Sequence, residues 1–139
     1  DVFDQVWQML GNCYSYNGQR DKAIQTYEKG LKLFPNSGVL YLERGNMELH
    51  VEEYGKALDY YERGIFAQPS FPSNYFWASK IYMGSTEEVW GLIYGEIFMN
   101  LERNSRRTPD ISKRLYDTYK SEITFTSPTE KKVSFCQQM

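Results

Sequence analysis

The most constraining feature of this chain is an internal repeat of thirty-four residues, the distance that separates Pro35 from Pro69. When residues 4–37 are aligned with residues 38–71, small, polar and aromatic residues recur at fixed places. The matched pairs are Gly11 with Gly45, Asn12 with Asn46, Ala23 with Ala57, Tyr27 with Tyr61, Gly30 with Gly64 and Pro35 with Pro69. A period of this length, with a proline near the end of each unit, is typical of a stack of helix-turn-helix units.

Apolar residues within each unit are spaced as on helices that bury one face. In the first unit, Trp7, Leu10 and Tyr14 fall on one side of a helix. Pro35 ends the second helix, because proline clashes with a continuing helical turn. The predicted helices span residues 4–16, 20–34, 38–51 and 54–67. Glycine lets two helices approach closely, so we expect a side chain placed at Gly45 to collide with the neighbouring backbone.

A third unit begins near residues 71–72 but departs from the pattern. Gly91 and Gly95 stand where the first two units carry alanine and tyrosine. The sequence Ser-Thr-Glu-Glu at residues 85–88 predicts a capping box, in which serine and glutamate side chains satisfy the first amides of a helix. We therefore expect a helix that begins there and ends near residue 103.

The hydrophobic pattern changes towards the end of the chain. Thr108, Pro109 and Asp110 predict the start of a capping helix, since proline is favoured at the first helical position. Residues 123–126 and 132–135 then alternate between apolar and polar around a turn with proline, which predicts a β-hairpin. Because a lone two-stranded ribbon is marginal in water and exposes an edge, we expect a homodimer through this hairpin.

Charge and hydropathy argue against two classes of partner. The net charge is -2, from sixteen basic and eighteen acidic residues. Such a balance gives no field that would hold nucleic acid or an anionic membrane. The longest apolar stretch, residues 89–101, is too short to span a bilayer. The basic cluster over residues 103–114 is interpreted as a solvated loop, and nucleic-acid binding there, with a steep salt dependence, is the alternative.

The sequence contains no motif of catalysis, phosphate binding or metal binding. There is no G-x-S-x-G sequence and no glycine loop that would cradle a phosphate. His50 is the single histidine, and Cys13 and Cys136 lie far apart, so neither a metal site nor a disulfide framework is predicted. We therefore predict no enzyme, no cofactor and no metal.

The first unit reads W-Q-M-L-G-N-C-Y, then A-I-Q-T-Y, then P, between Trp7 and Pro35. These motifs closely resemble the tetratricopeptide repeat family, up to about residue 103 and most strongly over residues 4–71. The resemblance implies an all-α tetratricopeptide-repeat helical array, an α-α superhelix, with a capping helix and a C-terminal β-hairpin. The implied organisation is a domain at 1–122, with repeats near 4–37, 38–71 and a degenerate 72–105 and a capping helix at 108–122, followed by a hairpin or the start of a further segment at 123–139.

The resemblance also implies where a partner binds, in a concave groove lined by the first helix of each repeat. Positions one, five and eight residues after the conserved aromatic residue share one helix face. They are Gln8, Asn12, Ser15, Leu42, Asn46, Leu49, Phe76, Lys80 and Met83. An asparagine amide can donate to and accept from a peptide backbone at once. A solvated polar face is the alternative interpretation.

Two residues in this set are expected to contribute most to binding. They are Phe76 and then Asn46, and we expect Phe76→Ala to weaken binding while leaving the fold nearly intact. Lys80 favours an acidic partner and Glu43 opposes it, so the sequence predicts little net charge preference.

The best-known specific site of the family is a cluster of lysine, asparagine and arginine that clamps the terminal carboxylate of chaperone peptides. Asn12 matches one member of that cluster. At the other aligned places this chain has Gln8, Glu43, Ser73 and Trp77, so the cationic members are missing. Because a carboxylate finds no cation there, chaperone-tail binding is rejected.

The function predicted from the sequence is a protein- or peptide-binding scaffold without catalysis. The alternative is a structural or self-association module that supports a neighbouring domain through the C-terminal hairpin. The chain begins without an initiator methionine or a signal peptide, so we expect a fragment of a longer protein. The sequence assigns no compartment.

Overall fold

The computed structural model describes residues 2–127 and 129–133, which form seven helices followed by two strands. The helices are α1 (Val2–Tyr16), α2 (Arg20–Leu33), α3 (Gly38–Leu49), α4 (Tyr54–Ala67), α5 (Pro72–Tyr82), α6 (Glu88–Leu101) and α7 (Thr108–Glu122). The strands are β1 (Ile123–Phe125) and β2 (Lys131–Val133). The helical array and the C-terminal hairpin predicted from the sequence are confirmed.

The chain divides into two compact units, one up to Asn74 and the other from Tyr75 onwards. The boundary lies in the first turn of α5, so the first unit holds the two helix pairs α1–α2 and α3–α4. The division into a domain at 1–122 and a tail at 123–139 stays a prediction.

Each helix pair of the first unit is closed by a tyrosine that packs on a glycine. Tyr27 and Tyr61 are both 0% exposed. A Cβ atom on Gly11 would lie 2.6 Å from Cδ1 of Tyr27, and one on Gly45 would lie 2.7 Å from Cδ1 of Tyr61. The obstacle predicted at Gly45 was the neighbouring backbone, which is wrong, because the nearest atoms belong to the tyrosine ring. The missing side chain therefore makes room for an aromatic ring.

A buried ion pair within α3 also contacts the neighbouring helices. The Arg44 guanidinium donates to Oε1 of Glu48 at 2.6 Å and to Oε1 of Glu28 on α2 at 3.3 Å. Its Cζ lies 4.5 Å from the centre of the Tyr60 ring on α4. Arg44 and Glu48 neutralise each other away from solvent, and this arrangement fixes α3 in rotation against α2 and α4.

The second unit has its own core between α5, α6 and α7. Phe98 and Ile111 are fully buried, and Leu92 and Leu115 are nearly so. Gly95 on α6 faces Leu115 on α7, where a Cβ atom would lie 2.9 Å from the leucine Cδ2. The observed span of α7 agrees with the capping helix predicted at residues 108–122.

The capping box predicted at residues 85–88 is wrong. Helix α6 begins at Glu88, and its N-cap residue Glu87 makes no side-chain hydrogen bond to the helix. The Ser85 hydroxyl instead donates to the carbonyl of Tyr82 at 2.9 Å and accepts from the amide of Glu87 at 3.1 Å. Serine stabilises the turn that follows α5, because a hydroxyl competes equally well for local backbone groups outside a helix.

The hairpin is antiparallel, with Ile123 opposite Val133 and Phe125 opposite Lys131. The first strand lies within the predicted run 123–126. The second begins one residue before the predicted run 132–135, whose last two residues lie outside the described part of the chain. The predicted use of this hairpin for dimerisation stays a prediction.

Candidate functional site

The residues predicted to bind a partner in the first unit lie on α1 and α3. All of them are half-buried, so each side chain is partly accessible to a binding partner. They are Gln8, Asn12 and Ser15 on α1 and Leu42, Asn46 and Leu49 on α3. Leu42 and Leu49 supply the apolar part of this face, and the amides supply the polar part.

A single carboxylate connects the polar side chains of the two helices. Oε1 of Glu43 accepts from Nε2 of Gln8 at 2.7 Å, and Oε2 accepts from Nδ2 of Asn46 at 3.2 Å. We call Gln8, Glu43 and Asn46 the Glu43 cluster. The bond to Gln8 joins α1 to α3, so the cluster lies where the two repeats meet in the first unit.

Both asparagines accept a hydrogen bond from a buried tyrosine. The Tyr27 hydroxyl donates to Oδ1 of Asn12 at 2.6 Å, and the Tyr61 hydroxyl donates to Oδ1 of Asn46 at 2.9 Å. Burial, and then the negative charge of Glu43, raise the pKa of both tyrosines above its ordinary value, so both hydroxyls stay protonated and donate. Each amide is thereby oriented with its nitrogen turned away from the tyrosine.

The two asparagine amides already make hydrogen bonds inside the first unit. The oxygen of each accepts from a tyrosine, and Nδ2 of Asn46 donates to Glu43. A sequence signal for the tyrosine contacts existed, because asparagine and tyrosine are fifteen residues apart in both repeats. The use of these amides as donor and acceptor toward a partner stays a prediction.

Glu43 is the residue that sequence reasoning undervalued. It was considered from the sequence only as a charge opposed to Lys80 and as one of the positions where the family's clamp is missing. Its counterpart in the first repeat is Met9, so the repeat comparison gave no reason to select it. The only available signal was its place on the same helix as Leu42 and Asn46.

The three residues predicted on α5 belong to the second unit, and Phe76 does not have the surroundings expected of a binding residue. Its side chain is 6% exposed, and its ring centre lies 5.3 Å from that of Phe98 and 4.9 Å from Cζ of Arg107. Phe76 thus lies in the core of the second unit. The expectation that Phe76→Ala leaves the fold nearly intact does not fit this burial. The part of Phe76 in binding stays untested. Met83 is half-buried.

Lys80 is already paired inside the second unit. Its Nζ donates to Oδ2 of Asp110 at 2.9 Å and lies 5.0 Å from the centre of the Phe76 ring. That hydrogen bond, and another from Arg114, lower the pKa of the Asp110 carboxyl. Lys80 on α5 is therefore an ion-paired cation that reaches the first turn of α7.

Removing the Tyr61 hydroxyl is expected to destabilise the first unit modestly. Tyr61→Phe keeps the ring but removes the donor to Asn46, and an intramolecular hydrogen bond contributes about 1 kcal/mol. Urea unfolding followed by circular dichroism measures the change. Tyr54→Phe is the control, because Tyr54 is exposed at the start of α4. Equal unfolding free energies for the two variants would contradict a fixed Asn46 amide.

The described residues contain no group of three or more His, Cys, Asp or Glu side chains placed to hold a metal ion. No helix within residues 2–127 is both long and apolar enough to cross a membrane.

Comparison with known sequences identifies the first repeat. Residues 5–37 match the family model of the tetratricopeptide repeat. Protein bimA of Emericella nidulans is 27% identical over 78 residues, which are 56% of this chain and 10% of bimA. The chain therefore spans about a tenth of the length of that curated relative.

Solved structures share the fold over most of the chain. The TPR2B domain of yeast Sti1 in its pHsp70 complex has a TM-score of 0.71 at 14% identity, covering 87% of this chain and 99% of that one. The first TPR of Spaghetti (RPAP3), bound to the HSP90 peptide SRMEEVD, has a TM-score of 0.71 at 19% identity, with coverages of 85% and 91%. The Yersinia enterocolitica translocator chaperone SycD has a TM-score of 0.71 at 16% identity, with coverages of 87% and 86%. At these identities the similarity concerns the fold.

Repeated helix pairs, each closed by a tyrosine on a glycine, define a helical-repeat protein. The family match over residues 5–37, together with the fold shared with solved tetratricopeptide-repeat domains, identifies tetratricopeptide repeats in this chain.

Proposed function

We propose that this chain is a protein- or peptide-binding scaffold that uses the face of α1 and α3 in its first unit and carries out no catalysis. The observation that carries the proposal is the set of polar groups fixed on a half-buried face. Glu43 accepts hydrogen bonds from Gln8 and Asn46, and the buried Tyr61 hydroxyl donates to Asn46. Groups that are ordered before binding lose little conformational entropy when a partner arrives.

Apolar contact area beside the polar groups supports the same function. Leu42 and Leu49 are half-buried on α3, one residue before Glu43 and three residues after Asn46. Binding surfaces combine an apolar centre with a few polar groups that set the orientation of the partner. A peptide that crosses α3 would meet both kinds of contact within two helical turns.

The fold neighbours support a peptide as the kind of partner. Two of them are complexes, one with pHsp70 and one with the HSP90 peptide SRMEEVD. The acidic character of that second peptide does not transfer to this chain. The carboxylate of Glu43 stands among the aligned positions where the family's clamp has cations, and it would repel an acidic terminus.

Self-association through residues 123–139 is the second candidate. The described strands β1 and β2 carry exposed apolar side chains, Phe125 and Val133. A short hairpin with exposed apolar residues can pair with a second copy along a strand edge. One of the fold neighbours, SycD, has been solved as an alternative dimer.

Selection of peptides from a random phage-displayed library tests the first candidate. We expect enriched peptides whose affinity, measured by fluorescence anisotropy, falls about tenfold in Leu42→Ala, as truncation of a central contact does. Leu33→Ala is the matched control, because Leu33 is exposed on α2, away from the α1 and α3 face.

Two results would contradict the proposal. Selected peptides that are weakened by Leu33→Ala and not by Leu42→Ala would place the working surface elsewhere. A chain that enriches no peptide but sediments as a dimer, and becomes monomeric when residues 124–139 are deleted, would support self-association instead.

A further inference from the structure

We propose that the Glu43 cluster selects a cationic group, a lysine or arginine side chain of the bound segment. This inference rests on the proposed function and assigns the partner chemistry of the same face. It is opposite in sign to the acidic peptide bound by the first TPR of Spaghetti.

The carboxylate of Glu43 keeps acceptor positions that the first unit does not use. A carboxylate offers about four acceptor positions. Within the described residues, the carboxylate of Glu43 uses two of them, for Gln8 and Asn46. About two acceptor positions on a charged group therefore remain for a partner that donates several hydrogen bonds.

The net charge of the two helices also favours a cationic partner group. Helix α1 has one charged residue, Asp4, which is buried and accepts from the Ser37 hydroxyl at 2.7 Å. On α3, Arg44 and Glu48 form the buried ion pair described above. Glu43 is the remaining charge, and the described part of the chain gives it no ion pair. The half-buried surface of α1 and α3 is therefore negative at this point.

The ion pair of Lys80 changes the charge preference expected for a partner. The sequence predicted little net charge preference, because Lys80 would favour an acidic partner while Glu43 opposed it. Lys80 is held by Asp110 within the second unit, and Asp110 is shared with Arg114. Because its Nζ is already bound to a carboxylate there, Lys80 is not a free cation that would offset the charge of Glu43.

The fixed orientation of the Glu43 carboxylate also favours a cationic partner group. Two amide donors bind separate oxygens of Glu43, so the plane of the carboxylate is fixed before a partner arrives. A fixed carboxylate suits the planar guanidinium of arginine, which binds through two parallel hydrogen bonds. The half-buried position of Glu43 also makes the pair stronger than one on an open surface.

Two fluorescein-labelled peptides test the inference. They share the same apolar residues, and every arginine of the first is glutamate in the second. We expect the arginine peptide to bind at least tenfold more tightly than its glutamate counterpart. Glu43→Gln should weaken the arginine peptide about fivefold, a moderate effect because the site is open to solvent on one side. Glutamine keeps an oxygen for the bond with Gln8, so the fold is retained, which circular dichroism checks.

Glu53→Gln is the matched control, because it removes the same charge from an exposed residue at the start of α4. It should change affinity less than twofold. Equal losses in Glu43→Gln and Glu53→Gln would overturn the inference, since whole-molecule charge would then explain them. Tighter binding of the glutamate peptide would also overturn it.

Leu42→Ala separates this inference from the proposed function on which it rests. If the arginine peptide is weakened by Leu42→Ala and unaffected by Glu43→Gln, the face binds peptides without selecting a cation. If neither substitution weakens it, the face is not the binding surface, and both proposals are wrong.

Discussion

Replacing Gly45 by alanine is expected to lower the free energy of unfolding by about 3 kcal/mol, near the upper end of what overpacking in a core costs. A Cβ atom at this position would lie 2.7 Å from Cδ1 of Tyr61, and Tyr61 is fully buried. The ring cannot move aside without breaking its hydrogen bond to Asn46. One methyl group therefore disturbs both the packing of α3 on α4 and the binding face.

Urea unfolding of Gly45→Ala and Gly55→Ala provides the measurement and its control. Gly55 lies in the first turn of α4, and a Cβ atom there meets nothing within 4 Å. Alanine at an exposed helical glycine stabilises by roughly 0.5–1 kcal/mol. The two glycine-to-alanine changes should thus have opposite signs. A Gly45→Ala variant as stable as the wild type would show that Tyr61 does not pack on α3 as described.

A double substitution shows whether the ring is the cause. If the tyrosine ring is the obstacle, Gly45→Ala should cost much less in a Tyr61→Leu background, because neighbouring residues in direct contact are not additive. Additive losses would place the obstacle elsewhere, for example in the backbone that the sequence argument expected.

The parts of the fold that could be predicted from the sequence are those whose key residues recur in both repeats. Gly11 with Tyr27 and Gly45 with Tyr61 repeat at the same spacing, so the period identified both helix pairs. The hairpin could be predicted for a different reason. Alternation of apolar and polar residues over 123–126 is incompatible with one buried helix face, because side chains alternate sides on a strand.

The features that were predicted wrongly or missed involve residues that have no counterpart in another repeat. Ser85 has no repeat partner with the same role, and its hydroxyl could serve the turn after α5 or the start of α6. Glu43 corresponds to Met9, so no periodicity marks it. Its importance depends on the side chains that approach it from α1 and from its own helix. Such contacts depend on packing between helices, which spacing along the chain does not determine.

The burial of Phe76 was missed for the same reason. Counting from the aromatic position of the third repeat placed Phe76 on the predicted binding face, beside Lys80. In that repeat the usual small residue of the second helix is replaced by Phe98, which is fully buried. Phe98 fills the interior and Phe76 packs against it, with ring centres 5.3 Å apart. Phe76 is therefore buried, whereas Gln8 and Leu42 at the aligned positions of the first two repeats are half-buried.

Phe76→Ala is therefore expected to destabilise the second unit by about 4 kcal/mol, as removal of a buried aromatic side chain does. The loss includes contact with Phe98 and the stacking of Arg107 at 4.9 Å. Urea unfolding gives the free energy, and hydrogen exchange of amides in α6 reports on the second unit itself. Those amides should exchange faster, whereas the sequence argument alone predicted an unchanged fold.

An exposed phenylalanine of the same unit provides the comparison that decides between these expectations. Phe125 on β1 is 69% exposed, so Phe125→Ala should change the unfolding free energy by no more than about 0.5 kcal/mol. If Phe76→Ala behaves like Phe125→Ala and α6 keeps its protection, Phe76 is not a core residue, and its predicted role in partner binding becomes the better explanation. If Phe76→Ala unfolds the second unit early, any loss of peptide affinity in that variant reflects lost structure. The binding face must then be mapped with Leu42 and Glu43, whose half-buried side chains can be changed without opening a core.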